Sequence, residues 1–140
     1  MMILTPYEGV DAYEFGSTQA QIKKQSGKAL SVEKDGIMEE IREMREGVRC
    51  TYIEKKLADV IIVKGGQLQV DEINLFSDPH AVQQLEQTYK ATYNESGTYV
   101  LFADLGLCLG GFTGKQVPEG QIAICFARER LEFYEIYLEM

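Results

Sequence analysis

The amino-acid sequence predicts an α+β fold: an antiparallel β-sheet of about six strands, with helices packed on one of its faces. Three observations carry this expectation. Strand-like runs come in consecutive groups instead of alternating with helices, which favours antiparallel meanders over βαβ units. Hydroxyl and carboxylate residues stand at helix-start positions before short apolar stripes. Hydrophobic residues at 45% and charged residues at 26% form an ordinary globular mixture, enough to build a core in 140 residues. The chain reads as a single domain over 1–140, either as one unit or as two halves, 12–75 and 78–138, each a helical layer followed by a meander.

Taken in order, residues 12–15 form a short strand-like run ended by Gly16. Ser17 or Thr18 can cap a following helix, with Gln21 at capping-box spacing from Thr18, and Gly27 stops it. Ile37, Ile41, Met44 and Val48 recur at helical spacing among charged residues, which predicts a solvated helix between Gly36 and Gly47. Residues 48–54, 57–64 and 67–74 read as a three-stranded meander, with Gly65-Gly66 as a type I′ hairpin turn. Asp78 as N-cap and Pro79 at the first helical position open a second helix striped by Val82, Leu85 and Tyr89. Residues 98–107, 121–128 and 131–138 complete the prediction as three more strands.

Charge narrows the function classes. Twenty-two acidic against 14 basic residues give a net charge of -8, which repels nucleic-acid phosphates and anionic membrane surfaces and suits a basic protein partner. No apolar run reaches the ~20 residues that span a bilayer. The opening MMILTPYEGVD has neither a basic nor a sustained apolar region, so no signal peptide is expected and the cytoplasm is the expected location.

Catalytic chemistry finds little support. The three cysteines, Cys50, Cys108 and Cys125, form no CxxC pair and sit in apolar surroundings, so they are expected to be buried thiols and not metal ligands. His80, the single histidine, lies at a helix start, where it is expected at the surface. The stretch from Leu109 through Gly114, Lys115 and Gln116 superficially resembles a phosphate loop. It has Leu109 where the first glycine belongs and Gln116 where the hydroxyl belongs, so a plain inter-strand loop is expected. Carboxylate pairs such as Asp71-Glu72 and Glu39-Glu40 have no spacing peculiar to metal or glycosidic chemistry. No catalytic residues, no metal and no cofactor are predicted.

Eight tyrosines stand against no tryptophan. Tyrosine contributes rigid, half-polar area to protein interfaces. Tyr134 and Tyr137, beside Glu132, Glu135 and Glu139, are therefore the candidate binding residues, on what reads as an acidic-aromatic terminal strand. The glutamates would repel their own copies across a shared edge, so a monomer or weak homodimer is expected.

Gly16, Thr18, Ile22 and Gly27 occupy the places of the opening motif of the BamE-like and beta-lactamase-inhibitor-like (BLIP-like) fold, which this segment resembles; Ser26 stands for the usual leucine and Ala29 for the usual proline. The resemblance implies helices followed by a meander, and protein binding through an exposed sheet face. Residues 105–126, a strand, a glycine loop and an aliphatic-aromatic strand, are similar to small bacterial proteins, some of which accompany secreted toxins as immunity proteins. The leading expectation is thus a non-enzymatic bacterial protein-binding module. The alternative is a small-ligand binder with Phe102, Leu107 and Phe126 lining a pocket between helices and sheet.

Overall fold

The computed structural model describes residues 2–37, 39–63, 65–114 and 120–139. The strands are β1 Met2–Thr5, β2 Gly9–Val10, β3 Tyr13–Glu14, β4 Ser31–Asp35, β5 Glu40–Arg45, β6 Val48–Ile53, β7 Lys56–Val63, β8 Leu68–Val70, β9 Ile73–Asn74, β10 Thr92–Tyr93, β11 Tyr99–Phe102, β12 Leu107–Gly110 and β13 Ile122–Phe126. The helices are α1 Gln19–Ser26, α2 Ala81–Glu86 and α3 Leu131–Glu139, the last preceded by a 3-10 turn over Arg128–Arg130.

Two sheets form, of five and eight strands, in place of a single sheet of about six. The larger runs β10-β11-β12-β13-β7-β6-β5-β4 and is antiparallel throughout. The smaller runs β3-β2-β1-β8-β9, with β1 and β8 parallel. Strands from both sequence halves meet in the larger sheet through the β7–β13 pairing, Ile124 opposite Ile61. One core lies between the sheets, drawing Val10, Leu68 and Val70 from the smaller and Val60, Phe102 and Cys125 from the larger, with Ile22 of α1 and Leu85 of α2 sealing it. A second cluster, built on Ile61, Leu101, Ile124 and Phe126, lies on the opposite face beneath α3. Helices therefore cover both faces of the larger sheet, and not one.

Helix α1 forms as its sequence predicts. Thr18 Oγ1 accepts from Gln21 N at 3.2 Å while Gln21 Oε1 accepts from Thr18 N at 2.9 Å, and Gly27 closes the helix. A buried polar network holds its C-terminal end. Arg45 Nη1 donates to the carbonyl of Gly27 at 2.8 Å and Nη2 approaches Glu43 Oε1 at 3.4 Å. Glu43 also accepts from the Tyr52 hydroxyl at 2.7 Å and from Gln19 Nε2 at 3.2 Å.

Several elements differ from expectation, each for an identifiable reason. The region read as a helix from Ile37 to Val48 contains β5, the middle of a β4-β5-β6 meander. Glu43 and Arg45, which look like solvated charges at helical spacing, turn inward with strand alternation into the network just described. The Gly65-Gly66 pair is not a type I′ hairpin: only Gly65 has positive φ, and the chain here leaves the larger sheet for the smaller. Lys64 itself lies outside the described residues. The run 98–107 is two strands, β11 and β12, folded back at Ala103–Gly106, where Gly106 adopts φ 62° against the Tyr7 ring. Helix α2 begins at Ala81, with His80 at the N-cap position; Asp78 instead accepts from the His80 backbone N–H at 2.8 Å.

Among the described residues, two non-glycine turns take positive φ at both positions, Glu54-Lys55 at 52° and 69° and Asp71-Glu72 at 48° and 67°. Left-handed backbone costs roughly 1–2 kcal/mol for an ordinary L-residue, and Asn-Gly relieves most of it. The double substitution Glu54→Asn/Lys55→Gly is expected to raise stability by about 1 kcal/mol, read as an upward shift in the thermal unfolding midpoint.

Candidate functional site

Residues 131–139 form a helix and not a strand, which overturns the terminal-strand expectation. Leu131, Phe133, Tyr134, Ile136, Tyr137 and Leu138 are apolar or aromatic at so many positions that they satisfy either periodicity. The helix wins because Leu131, Tyr134 and Leu138, at i, i+3 and i+7, can all face the outer side of the larger sheet. The sheet edges are β4 and β10, so the edge-repulsion reason for expecting a monomer does not apply to this segment.

Tyr134 is the anchor. Its ring stacks on Phe126 with centroids 4.5 Å apart, and its hydroxyl donates to Asp59 Oδ2 at 2.9 Å. Arg130 Nη2 lies 4.0 Å from the same oxygen, and its guanidinium covers the Phe133 ring at 4.0 Å from the centroid. Tyr134 is thus buried and positions the helix, rather than facing solvent as a binding residue. Burial pushes the Asp59 carboxyl up, opposed by the hydroxyls of Thr51 and Tyr134 and by the charges of Arg130 and Arg49. Burial likewise pushes the Tyr134 phenol up, helped by the Asp59 charge.

The other face of α3 is open. Phe133, Ile136 and Tyr137 are each about half exposed, and Glu132, Glu135 and Glu139 are exposed around them. Phe133 stacks beside Tyr137 with centroids 6.3 Å apart, and Tyr137 meets Tyr99 of β11 edge-on at 6.0 Å. Between this aromatic flank and the sheet is a cleft of about 170 Å³ floored by Ile61, Ile122 and Ile124, with Arg49 at its mouth. Four of the five sequence-predicted site residues, Tyr137, Glu132, Glu135 and Glu139, therefore share one exposed helix, and the fifth holds that helix in place. Sequence reading missed Asp59 and Arg49. A lone carboxylate inside the apolar strand Leu57-Ala58-Asp59-Val60-Ile61 was the available signal for the first.

No family model, curated protein or solved structure matches this chain.

His80 is exposed, as expected. The three cysteines are buried and free, and burial holds the Cys50 and Cys108 thiols up at about 12, which keeps them protonated and unreactive at neutral pH. Lys115 and Gln116 of the phosphate-loop look-alike lie outside the described residues, while Leu109 and Gly110 belong to β12. Phe102, Leu107 and Phe126 are fully buried and do not line a common pocket: the first two face the inter-sheet core and the third faces α3. Among the described residues no group of His, Cys, Asp and Glu is placed to hold a metal ion, and no helix is long and apolar enough to cross a membrane.

Asp59 gives the site a pH signature. Its folded-state pKa is raised, so the native state binds its proton more tightly than the unfolded chain does. Its contribution to stability is then greatest in acid and declines as pH rises from the unfolded value, about 3.9, through the folded one. Asp59→Asn removes that decline. The difference in unfolding free energy, wild type minus Asp59→Asn, is expected to fall with rising pH across the acid range; a difference that rises instead contradicts the assignment. Urea titrations at a series of pH values give the measurement.

Proposed function

We propose that this chain is a non-enzymatic protein-binding module of the bacterial immunity or inhibitor kind, working in the cytoplasm as a monomer or weak dimer. Its binding surface is the outer face of α3. The observation that carries the reading is the exposed set Phe133, Ile136 and Tyr137, ringed by Glu132, Glu135 and Glu139 on a helix pinned from beneath by Tyr134. Aromatic anchors on a rigid support slow dissociation, and the glutamates speed encounter with a basic partner. The same acidic field disfavours nucleic acid. The segment resembling the BamE-like and BLIP-like opening, and the one similar to small immunity proteins, support the same class of function.

The test is affinity capture from the native host at low and moderate salt, with Phe133→Ser/Ile136→Ser/Tyr137→Ser as comparison. Half of each side chain is buried against Arg130, Tyr99 and its neighbours, so the variant is expected to unfold cooperatively at a midpoint lowered by several degrees, and capture is read below that temperature. Capture of a basic protein that weakens with salt and is lost in the variant supports the reading. Undiminished capture by the folded variant, or no protein partner at either salt, contradicts it.

A further inference from the structure

One edge of the larger sheet lies at β4, far along the strand order from the strands beneath α3. On its outer side no strand pairs with β4 among the described residues, which leaves a row of backbone donors and acceptors available to another chain. Residues 31–34 are exposed throughout. The two most exposed large apolar side chains among the described residues bracket this strand, Leu30 at 75% and Ile37 at 93%.

The two faces of this edge carry opposite chemistry. Val32 lies opposite the inward-facing Glu43, and strand alternation puts Lys34 on the same face. Beside them is a cleft of about 290 Å³ between α1 and the β4-β5 hairpin, with an apolar wall of Ala20, Ala29 and Val32 and a rim of Lys23 and Lys28. The carboxylate in it, Glu43, is buried and already engaged by Arg45, Tyr52 and Gln19. Among the described residues no carboxylate stands in salt-bridge contact with Lys23, Lys28 or Lys34. The opposite face carries Ser31, Glu33 and Asp35, with Glu33 3.8 Å from Arg42.

We propose that β4 accepts an extended segment of a partner protein as a ninth strand, and that this segment carries acidic side chains at alternate positions, directed to the α1 side of the sheet. Backbone pairing supplies affinity without regard to sequence, and the lysine-rimmed cleft reads every second side chain. Acidic residues on the α1 side meet three lysines; on the other side they meet Glu33 and Asp35. A second copy of this chain is a poor occupant, because antiparallel edge-to-edge pairing about a two-fold axis normal to the sheet keeps the lysine-bearing faces together and the acidic faces together. The chain's overall acidity does not forbid an acidic segment, since charges beyond the Debye length of about 8 Å are largely screened at physiological salt.

The probes are two labelled synthetic peptides of the same glutamate and threonine content, one strictly alternating and one with its glutamates contiguous. They are titrated into the full-length protein by fluorescence anisotropy, with amide hydrogen exchange read at 31–35. The alternating peptide is expected to bind about tenfold more tightly and to protect the β4 amides, and Lys23→Ala/Lys28→Ala/Lys34→Ala to weaken it about tenfold. These lysines are exposed, so the variant is expected to stay folded. Equal affinity for the two peptides, binding unaffected by the lysine substitutions, or absent β4 protection would overturn the proposal. So would concentration-dependent protection of β4 without peptide, which would make a second copy the occupant. None of these outcomes bears on α3, whose own capture experiment stands apart.

Discussion

Glu43→Ala is expected to destabilise the fold by about 3–5 kcal/mol, among the largest effects of any single substitution outside the apolar core. The carboxylate is 4% exposed and receives Arg45, the Tyr52 hydroxyl and Gln19. Without it, a guanidinium 7% exposed keeps its hydrogen bonds to the carbonyls of Ser26 and Gly27 but has no counter-charge, and the Tyr52 hydroxyl loses its acceptor. Both losses fall on the junction between α1 and the sheet. Arg45 Nε is already a buried donor without a hydrogen-bond partner, so the network has little capacity to rearrange. Urea unfolding gives the reading. Glu43→Gln, which keeps one acceptor oxygen but not the charge, is expected to lose less, and Glu43→Ala/Arg45→Met is expected to recover part of the single-variant loss because the uncompensated ion is gone. A loss for Glu43→Ala under 1 kcal/mol would mean that water reaches the site.

Phe126→Ala is the second large effect, about 3–5 kcal/mol, the ordinary range for a fully buried phenylalanine. Its consequence is local as well as global. The ring is stacked by Tyr134 and touched edge-on by Tyr7 at 6.0 Å, whose own ring lies beneath the Arg128 guanidinium. Removing it takes away the surface on which α3 sits. Hydrogen exchange over 131–139 is expected to accelerate more than exchange over β6 and β7, with the unfolding midpoint lowered. Uniform acceleration throughout the chain would show instead that α3 and the sheet unfold as one unit.

How far the sequence reveals the fold depends on how local the governing interaction is. Helix α1 is legible because its capping box, Thr18 with Gln21, lies within four residues. Strands β6, β7 and β13 are legible because β-branched runs such as Val60-Ile61-Ile62-Val63 need no distant partner to be read. The failures are at amphipathic segments whose burial is decided elsewhere. Strand β5 reads as a helix because Glu43 and Arg45 look solvated until α1 and Tyr52 are brought to them. Helix α3 reads as a strand because six apolar side chains in eight positions fit two periods, and only Phe126 and Asp59, reached across the fold, choose between them. The N-terminal strands β1 and β2 give little signal for a related reason: β1 pairs in parallel with β8, more than sixty positions away, and β2 is two residues long. The same reasoning applies to the candidate site. Its glutamates and Tyr137 are visible in sequence as an acidic-aromatic run. The division of labour between an outward Tyr137 and an inward Tyr134 is visible only once the helix is known.

The most direct test of the claim that α3 is a protein-binding face is site-specific photo-crosslinking in the native host. A photoreactive phenylalanine analogue is placed at Tyr137, and at exposed Gln87 beside α2 as a control. One discrete crosslinked product is expected at position 137, containing a basic protein, and none at position 87. The same product at both positions, or products at 87 alone, would contradict that claim.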